Sequence, residues 1–286
     1  MPQPPCLSAI HIYPVKSLHG VRLTKADAEP WGLAGDRRWM LVGKDAKAIT
    51  QRDHPGLALV RVEYGPDGSL RFRTARDTSP PVAVPDPAGK APPDAAPVSV
   101  RIWQDTVRAV RPFGEVHRWF SEYLGEEASL VHLDAPGRRR PLDPEYARPG
   151  ETVTFADSFP LLLTTTGSLT ALNDLITQEA LASGGQAPDP LPMDRFRPNL
   201  VIDGTDAWQE DNWRRVRIGE VSFRVGKPCA RCTVTTIDQK TAERGLEPLR
   251  TLGRHRRSDT GLLFGQYLVP ESTGVLRVGD PFTVLA

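Results

Sequence analysis

Proline is the feature of this 286-residue sequence that most restricts its fold, because 28 residues are proline and a further 24 are glycine. Proline lacks a backbone N–H and is excluded from helix interiors and central strands, whereas glycine is typical of tight turns. This abundance favours short strands joined by turns over a helical fold. We therefore predict a β-rich α+β protein with a few helices.

Alternating patterns locate individual strands. Apolar and polar side chains alternate on both sides of a Gly-Pro-Asp-Gly turn in 57–74, which predicts a β-hairpin. A second hairpin is predicted over 98–112, turning around Gln104 and Asp105. Residues 79–97 are too rich in proline for a core strand and predict a surface loop.

Two helices and a polar segment between them divide the chain. Amphipathic spacing predicts helices in 114–125 and 167–183. The residues between them contain several prolines and charges, which is typical of a linker. We predict an N-terminal domain over 1–125, a linker over 126–149 and a C-terminal domain over 150–286.

Charge and cysteine content narrow the function classes. Lys and Arg total 36 against 35 Asp and Glu, so the net charge of +1 predicts no nucleic-acid surface. No apolar run approaches the length of a bilayer span, and no secretory signal is evident. Three cysteines in a chain of this length do not form a disulfide framework and indicate free thiols. We expect a cytoplasmic protein that binds neither nucleic acid nor membrane.

Two of the three cysteines, Cys229 and Cys232, lie in the segment GKPCARCTVTTID, residues 226–238. A structural zinc site normally has four ligands, but there is no second CxxC and no histidine within twenty residues. A thioredoxin-like pair begins a helix, whereas the β-branched residues here predict a strand. Two buried structural cysteines remain the ordinary interpretation.

Strand geometry would separate the two thiols. In an extended segment Cys229 and Cys232 face opposite sides, so one thiol would reach a site, and Cys232 would share its face with Val234 and Thr236. Arg231 beside Cys232 would favour the thiolate. A thiolate that is the only protein ligand suits a soft metal whose other ligands come from a cofactor.

Cationic and polar side chains elsewhere are suited to holding a phosphorylated cofactor, although each by itself is typical of a solvated surface. Spacing alone does not assemble them into one site. They are Lys16, Ser17, Arg37, Asp157, Ser158, Arg197 and Asn199.

The motifs taken together resemble the MOSC family, and within it the mitochondrial amidoxime-reducing components and their bacterial relatives. The matching stretches include IYPVKS, GDRRWMLV, FADSFPLLLTTTGSLTALN, RFRPNLVI, GKPCARCTVTTID and FGQYLV, which occur in order along nearly the whole chain. The resemblance implies an N-terminal β-barrel-like domain followed by a C-terminal MOSC β-barrel. It also implies a molybdenum ion held with molybdopterin.

The resemblance assigns roles to particular residues. Cys232 becomes the metal ligand, and Asp157, near the metal, becomes a candidate proton relay. At position 159 this chain has phenylalanine where the mitochondrial relatives carry a small hydroxyl residue, so that contact differs. The implied cofactor-binding residues are Lys16, Ser17, Arg37, Ser158, Arg197, Asn199 and Arg231.

The implied activity is a two-electron reduction of N-hydroxylated compounds, N–OH to N–H. The chain shows neither the membrane anchor of the mitochondrial relatives nor the cysteines of an iron–sulfur domain. We therefore expect electrons from a separate ferredoxin or cytochrome b5-like protein with its reductase. Persulfide transfer on Cys232, or carriage of the molybdenum cofactor without catalysis, remains the alternative.

Overall fold

The computed structural model describes residues 4–74, 82–84 and 95–286. Within them the chain forms many short strands and few helices, so the prediction of a β-rich α+β protein is confirmed. The strands are β1 (Cys6–Ile12), β2 (Val21–Leu23), β3 (Lys25–Glu29), β4 (Gly32–Leu33), β5 (Trp39–Gly43), β6 (Arg61–Tyr64), β7 (Leu70–Arg73), β8 (Val82–Val84), β9 (Ala96–Ile102), β10 (Asp105–Arg111), β11 (Ala128–His132), β12 (Leu161–Thr165), β13 (Leu200–Asp203), β14 (Arg215–Ile218), β15 (Val221–Ala230), β16 (Arg257–Ser258), β17 (Gly261–Pro270), β18 (Gly274–Arg277) and β19 (Phe282–Val284). The α-helices are α1 (Val116–Leu124), α2 (Pro136–Arg139), α3 (Thr166–Ala182) and α4 (Leu249–His255).

The largest sheet has the order β19-β14-β15-β17-β12-β13-β1-β2, and β16 pairs with β17. β12 and β13 are parallel, and the other pairs of this sheet are antiparallel. The predicted barrels are not seen, because no sheet among the described residues closes on itself. An isolated bridge pairs Cys6, at the start of β1, with Pro281, just before β19, without a continuous ladder.

The predicted hairpins form in the N-terminal part. β6 pairs with β7 in the register Tyr64 to Leu70, and β9 pairs with β10 so that Trp103 and Gln104 make the turn, one residue earlier than predicted. The loop predicted over 79–97 lies largely outside the described residues, although its described part contains β8.

Both predicted helices are present. α1 ends at Gly125, whose φ of 72° suits glycine, and α1 buries Val116 and Phe120 against the core of β5, β6 and β7. α3 is capped by Thr165, whose hydroxyl accepts from the backbone N–H of Ser168.

The chain links its two halves through shared sheets. β1 and β2 belong to the same sheet as strands from the C-terminal half, and β3 pairs with β18. The proposed linker, 126–149, contains β11 and α2. The domain boundaries at 125 and 150 stay a prediction. Across the described ranges we find no helix with the length and apolar character needed to span a bilayer.

Candidate functional site

A cavity of about 230 Å³ opens at one edge of the large sheet. β12 and β13 are parallel and β1 is antiparallel to β13, so the segments before β12 and β13 meet the segment after β1. The cavity is lined by every residue that the sequence suggested: Lys16, Ser17, Arg37, Asp157, Ser158, Arg197, Asn199, Arg231 and Cys232. It is also lined by Arg52, Trp103, Phe159, Cys229 and Tyr267, among others.

Unusual backbone conformations concentrate around this cavity. Ser17, Arg37, Trp103 and Arg197 have φ values of 68°, 48°, 54° and 52°, in the left-handed region that side chains other than glycine rarely adopt. Each such residue costs about 1 kcal/mol or more, and such strain persists only where the surroundings impose it. The fold therefore holds these four side chains toward the cavity at an energetic cost, which is typical of binding sites.

Lys16 and Asp157 form an ion pair inside the cavity. Lys16 is buried, and its Nζ donates to Oδ1 of Asp157 at 2.5 Å and to the carbonyl oxygen of Phe155 at 2.9 Å. Burial lowers the pKa of Lys16 to about 8, although the charge of Asp157 opposes that decrease. Burial would raise the pKa of Asp157, but the charges of Lys16 and Arg52 outweigh it and hold that pKa well below its usual range.

Asp157 therefore stays ionised at neutral pH. Its side chain lines the cavity and is 45% exposed. A carboxylate with so low a pKa accepts hydrogen bonds but is a poor source of protons. The ammonium group of Lys16 is the proton donor of this pair.

Two arginines are packed against Tyr13. The guanidinium groups of Arg37 and Arg197 lie 4.4 and 4.2 Å from the centre of its ring. Arg37 also donates to Asp36 at 2.6 Å and to Oδ1 of Asn199 at 3.0 Å. Burial lowers the pKa of Arg197 to about 10, and its buried Nη1 has no hydrogen-bond partner among the described residues. An unpaired donor on a cation indicates affinity for an anion.

The cavity carries an excess of positive charge. Among the described residues, Asp157 is the one that lines it with a carboxylate. The lining cations are Lys16, Arg37, Arg52, Arg197 and Arg231. This balance favours a ligand with several negative charges, such as a phosphorylated compound.

The two thiols differ in exposure and in partners. Cys229 is 1% exposed and accepts from Nη1 of Arg231 at 2.8 Å. Cys232 is partly exposed, and Nη2 of Arg52 lies 3.3 Å from its sulfur. Arg231 follows Cys229 closely in sequence and donates to that buried thiol, while its charge also interacts with Cys232. Arg52 supplies the positive charge next to Cys232.

The strand predicted through CTVTTID ends earlier than expected. β15 stops at Ala230, and Thr233–Thr236 forms a 3-10 turn. The hydroxyl of Thr235 donates to the carbonyl of Cys232, so local hydrogen bonds replace a strand ladder. The parity argument therefore fails, since both thiols line the cavity, although Cys232 alone is accessible.

Phe159 forms part of the wall. Its ring is 2% exposed and stacks on that of Tyr267, with centroids 5.0 Å apart. A side chain at Gly226 would collide with this ring, because a Cβ there would lie 2.2 Å from Cε1 of Phe159. Position 159 is thus filled by an aromatic ring that is fixed by its neighbours and offers no hydrogen bond.

Arg52, Trp103 and Tyr13 were not identified from the sequence as site residues. Tyr13 directly precedes the PVKS stretch that carries Lys16 and Ser17, so its position was a usable signal. Arg52 and Trp103 lie in ordinary hairpin and loop sequences. Among the described residues, no group of three or more His, Cys, Asp or Glu side chains is arranged to hold a metal ion.

Comparison with known proteins gives two family matches. Residues 150–283 match the MOSC domain, and residues 5–127 match the MOSC N-terminal beta barrel domain. The family is associated with the molybdenum cofactor.

Three relatives illustrate the similarity. Human mitochondrial amidoxime-reducing component 1 is 30% identical, covering 98% of this chain and 82% of the relative. Rat mitochondrial amidoxime reducing component 2 is 31% identical, covering 96% of this chain and 82% of the relative. The molybdenum cofactor sulfurase of Oryza sativa subsp. japonica is 30% identical, covering 91% of this chain but 32% of the longer relative.

Proposed function

Because this chain belongs to the MOSC family, we propose that it is a molybdenum cofactor-dependent oxidoreductase that reduces N-hydroxylated compounds. The reaction consumes two electrons and two protons, converts N–OH to N–H and releases water. The observation that carries the proposal is the cavity itself, which combines one accessible thiol with five cations. The names of the amidoxime-reducing relatives support the substrate class.

The cavity fits the molybdenum cofactor. Its phosphate would meet two donors that have no partner within the described part of the chain, Nη1 of Arg197 and Nε of Arg231. The thiol of Cys232 would bind the metal, and the cofactor supplies the two-electron redox chemistry when bound. The other residues proposed to hold the cofactor are Lys16, Ser17, Arg37, Ser158 and Asn199.

Two side chains of the cavity are suited to delivering protons. With a pKa of about 8, Lys16 is mostly protonated at neutral pH yet releases its proton readily. Asp157 holds that ammonium group beside the cavity and stays ionised, so we assign it an orienting role in proton delivery. The stacked rings of Phe159 and Tyr267 give part of the cavity wall an apolar surface.

Electrons are proposed to come from a separate ferredoxin or cytochrome b5-like protein with its reductase. A plant-type iron–sulfur cluster uses four cysteine ligands, and the three cysteines of this sequence are all free thiols in the structure. The cavity mouth is the natural place for electrons to enter, because the Cys232 side chain is accessible there.

Metal and pterin analysis of two cysteine variants tests the proposal. Cys232→Ala should lose molybdenum and the reduction of benzamidoxime by an artificial donor, whereas Cys229→Ala, as the matched control, should keep most of both. Equal loss in both variants would contradict a single thiolate ligand. A persulfide on Cys232 without metal would favour sulfur transfer, the alternative suggested by the sulfurase relative. Bound cofactor without reductase activity would favour a cofactor carrier.

A further inference from the structure

Arg52 contacts three different groups at the mouth of the cavity. Its Nη2 lies 3.3 Å from the sulfur of Cys232 and 3.8 Å from Oδ2 of Asp157. Its guanidinium carbon lies 4.4 Å from the centre of the Trp103 ring. A flat N–C–N group is thereby held on an aromatic face, next to a carboxylate and the thiol.

Trp103 is unusual in its own right. Its side chain is 57% exposed, although tryptophan is mostly buried in folded proteins. It occupies the first position of a two-residue hairpin turn with a φ of 54°, where asparagine or glycine is usual. A large aromatic ring kept exposed in a strained turn beside a cavity is typical of a binding surface.

The Arg52–Trp103 pair also forms a boundary between two cavities. A second cavity of about 340 Å³ adjoins the first and shares Lys16, Arg52 and Trp103 with it. Movement of the Arg52 side chain would connect the two spaces. The second cavity also has an apolar part, formed by Ala48 and Ile102.

The guanidinium group has the same planar N–C–N core as an amidine. We propose that Arg52 occupies the recognition cleft of the substrate, and that an N-hydroxylated amidine or guanidine replaces it on Trp103. This inference rests on the proposed function and assigns Arg52 and Trp103 a part in recognising the substrate. The incoming N–C–N group donates to Oδ2 of Asp157 and stacks on the indole ring, while its substituent enters the second cavity.

The arrangement predicts selectivity among N-hydroxylated compounds. A planar amidoxime or N-hydroxyguanidine stacks on the indole ring and presents its N–H groups edge-on to the carboxylate. A hydroxylamine whose nitrogen is bonded to a tetrahedral carbon stacks less well on the ring and presents its N–H groups less well to the carboxylate. Planar conjugated substrates should therefore bind more tightly than tetrahedral ones that carry the same ring.

Direct binding of benzamidine to the cofactor-containing protein tests the cleft without depending on turnover. Calorimetry should show tighter binding to Arg52→Ala than to the wild type, because the internal competitor is gone. Trp103→Ala should weaken binding on the order of fivefold, as expected for a lost cation–π contact. Benzylamine, whose ammonium nitrogen is bonded to a tetrahedral carbon, should bind more weakly than benzamidine.

Two control variants isolate the effect. Arg256 stacks on Trp208 at the same 4.4 Å outside the cavity, so Arg256→Ala should leave benzamidine affinity unchanged. Phe113 is 72% exposed and lines neither cavity, so Phe113→Ala should also bind as the wild type does. Thermal unfolding checks that each variant is folded, and Trp103→Phe should restore much of the binding lost in Trp103→Ala.

Weaker or unchanged benzamidine binding in folded Arg52→Ala would overturn the inference. Equal binding to Trp103→Ala and the wild type would overturn it as well. The proposed reductase function is judged separately by turnover of benzamidoxime. An active enzyme whose Arg52→Ala variant binds benzamidine no more tightly would refute the cleft but not the function.

Discussion

Replacing Asp157 by asparagine tests whether Lys16 is the proton donor of the site. Lys16 is 6% exposed, and burial lowers its pKa to about 8 while the Asp157 carboxylate opposes that decrease. An opposite charge in contact changes a pKa by about 1–3 units. The 45% exposure of the Asp157 side chain weakens its effect, which favours the lower half of that range. Without Asp157 we expect the pKa of Lys16 to fall by about one to two units, since Arg140 and Arg37 still disfavour its charge.

The assay is kcat/KM for benzamidoxime reduction as a function of pH, with an artificial electron donor. The wild-type rate should decrease as pH rises through about 8, because the ammonium group of Lys16 then loses its proton. In Asp157→Asn the decrease should begin one to two pH units lower, at about pH 6 to 7, because the pKa of Lys16 falls by that amount.

A matched control and a cofactor measurement complete this test. Asp134 pairs with Arg139 at 2.8 Å outside the cavity, so Asp134→Asn should keep the wild-type profile. Molybdenum and pterin are measured in each variant, so that loss of cofactor is not mistaken for loss of proton transfer. An alkaline decrease at the same pH in the wild type and Asp157→Asn would refute the coupling of Lys16 to Asp157.

Arg197→Ala should carry less pterin than the wild type, because a buried anion loses a charge-assisted partner at a cost on the order of 1.5–3 kcal/mol; unchanged occupancy, measured by pterin fluorescence, would contradict that role. His132 is fully buried, and burial together with the charge of Arg38 lowers its pKa to about 3. Between about pH 3 and 6.5 the unfolded chain therefore binds more protons at this residue than the folded chain does, so the free energy of unfolding decreases as the pH falls through that window. His132→Leu should abolish about 2 kcal/mol of the stability difference between pH 7 and pH 5 in urea unfolding, and an equally steep acid dependence in both proteins would contradict this. The purified protein should not oxidise NADH alone, whereas adding a ferredoxin or cytochrome-type carrier with its reductase should restore NADH-linked reduction; NADH oxidation by the single chain would show a nucleotide site that the sequence does not suggest.

The sequence determined the local structure well wherever one periodic pattern dominated. The hairpin over Arg61–Arg73 and the helix Val116–Leu124 follow from alternation, helical spacing and turn residues, which describe contacts between near neighbours. The family motifs likewise identified nine of the twenty residues that line the cavity. The β-branched residues after Cys232 wrongly predicted a strand. Threonine hydroxyls there donate to nearby backbone carbonyls, so the segment forms a 3-10 turn.

Only the tertiary structure decided which of these residues touch one another. Lys16 and Asp157 are 141 positions apart, and Arg52 and Cys232 are 180 apart, so their contacts depend on strand order and not on local spacing. The same packing determines the pKa of Lys16. It also places the guanidinium of Arg231 on the buried thiol of Cys229 and that of Arg52 beside the accessible thiol of Cys232. Side-chain patterns record which face of an element is buried, whereas charges and ligand sites depend on the distances between elements, which the order of strands in the sheet determines.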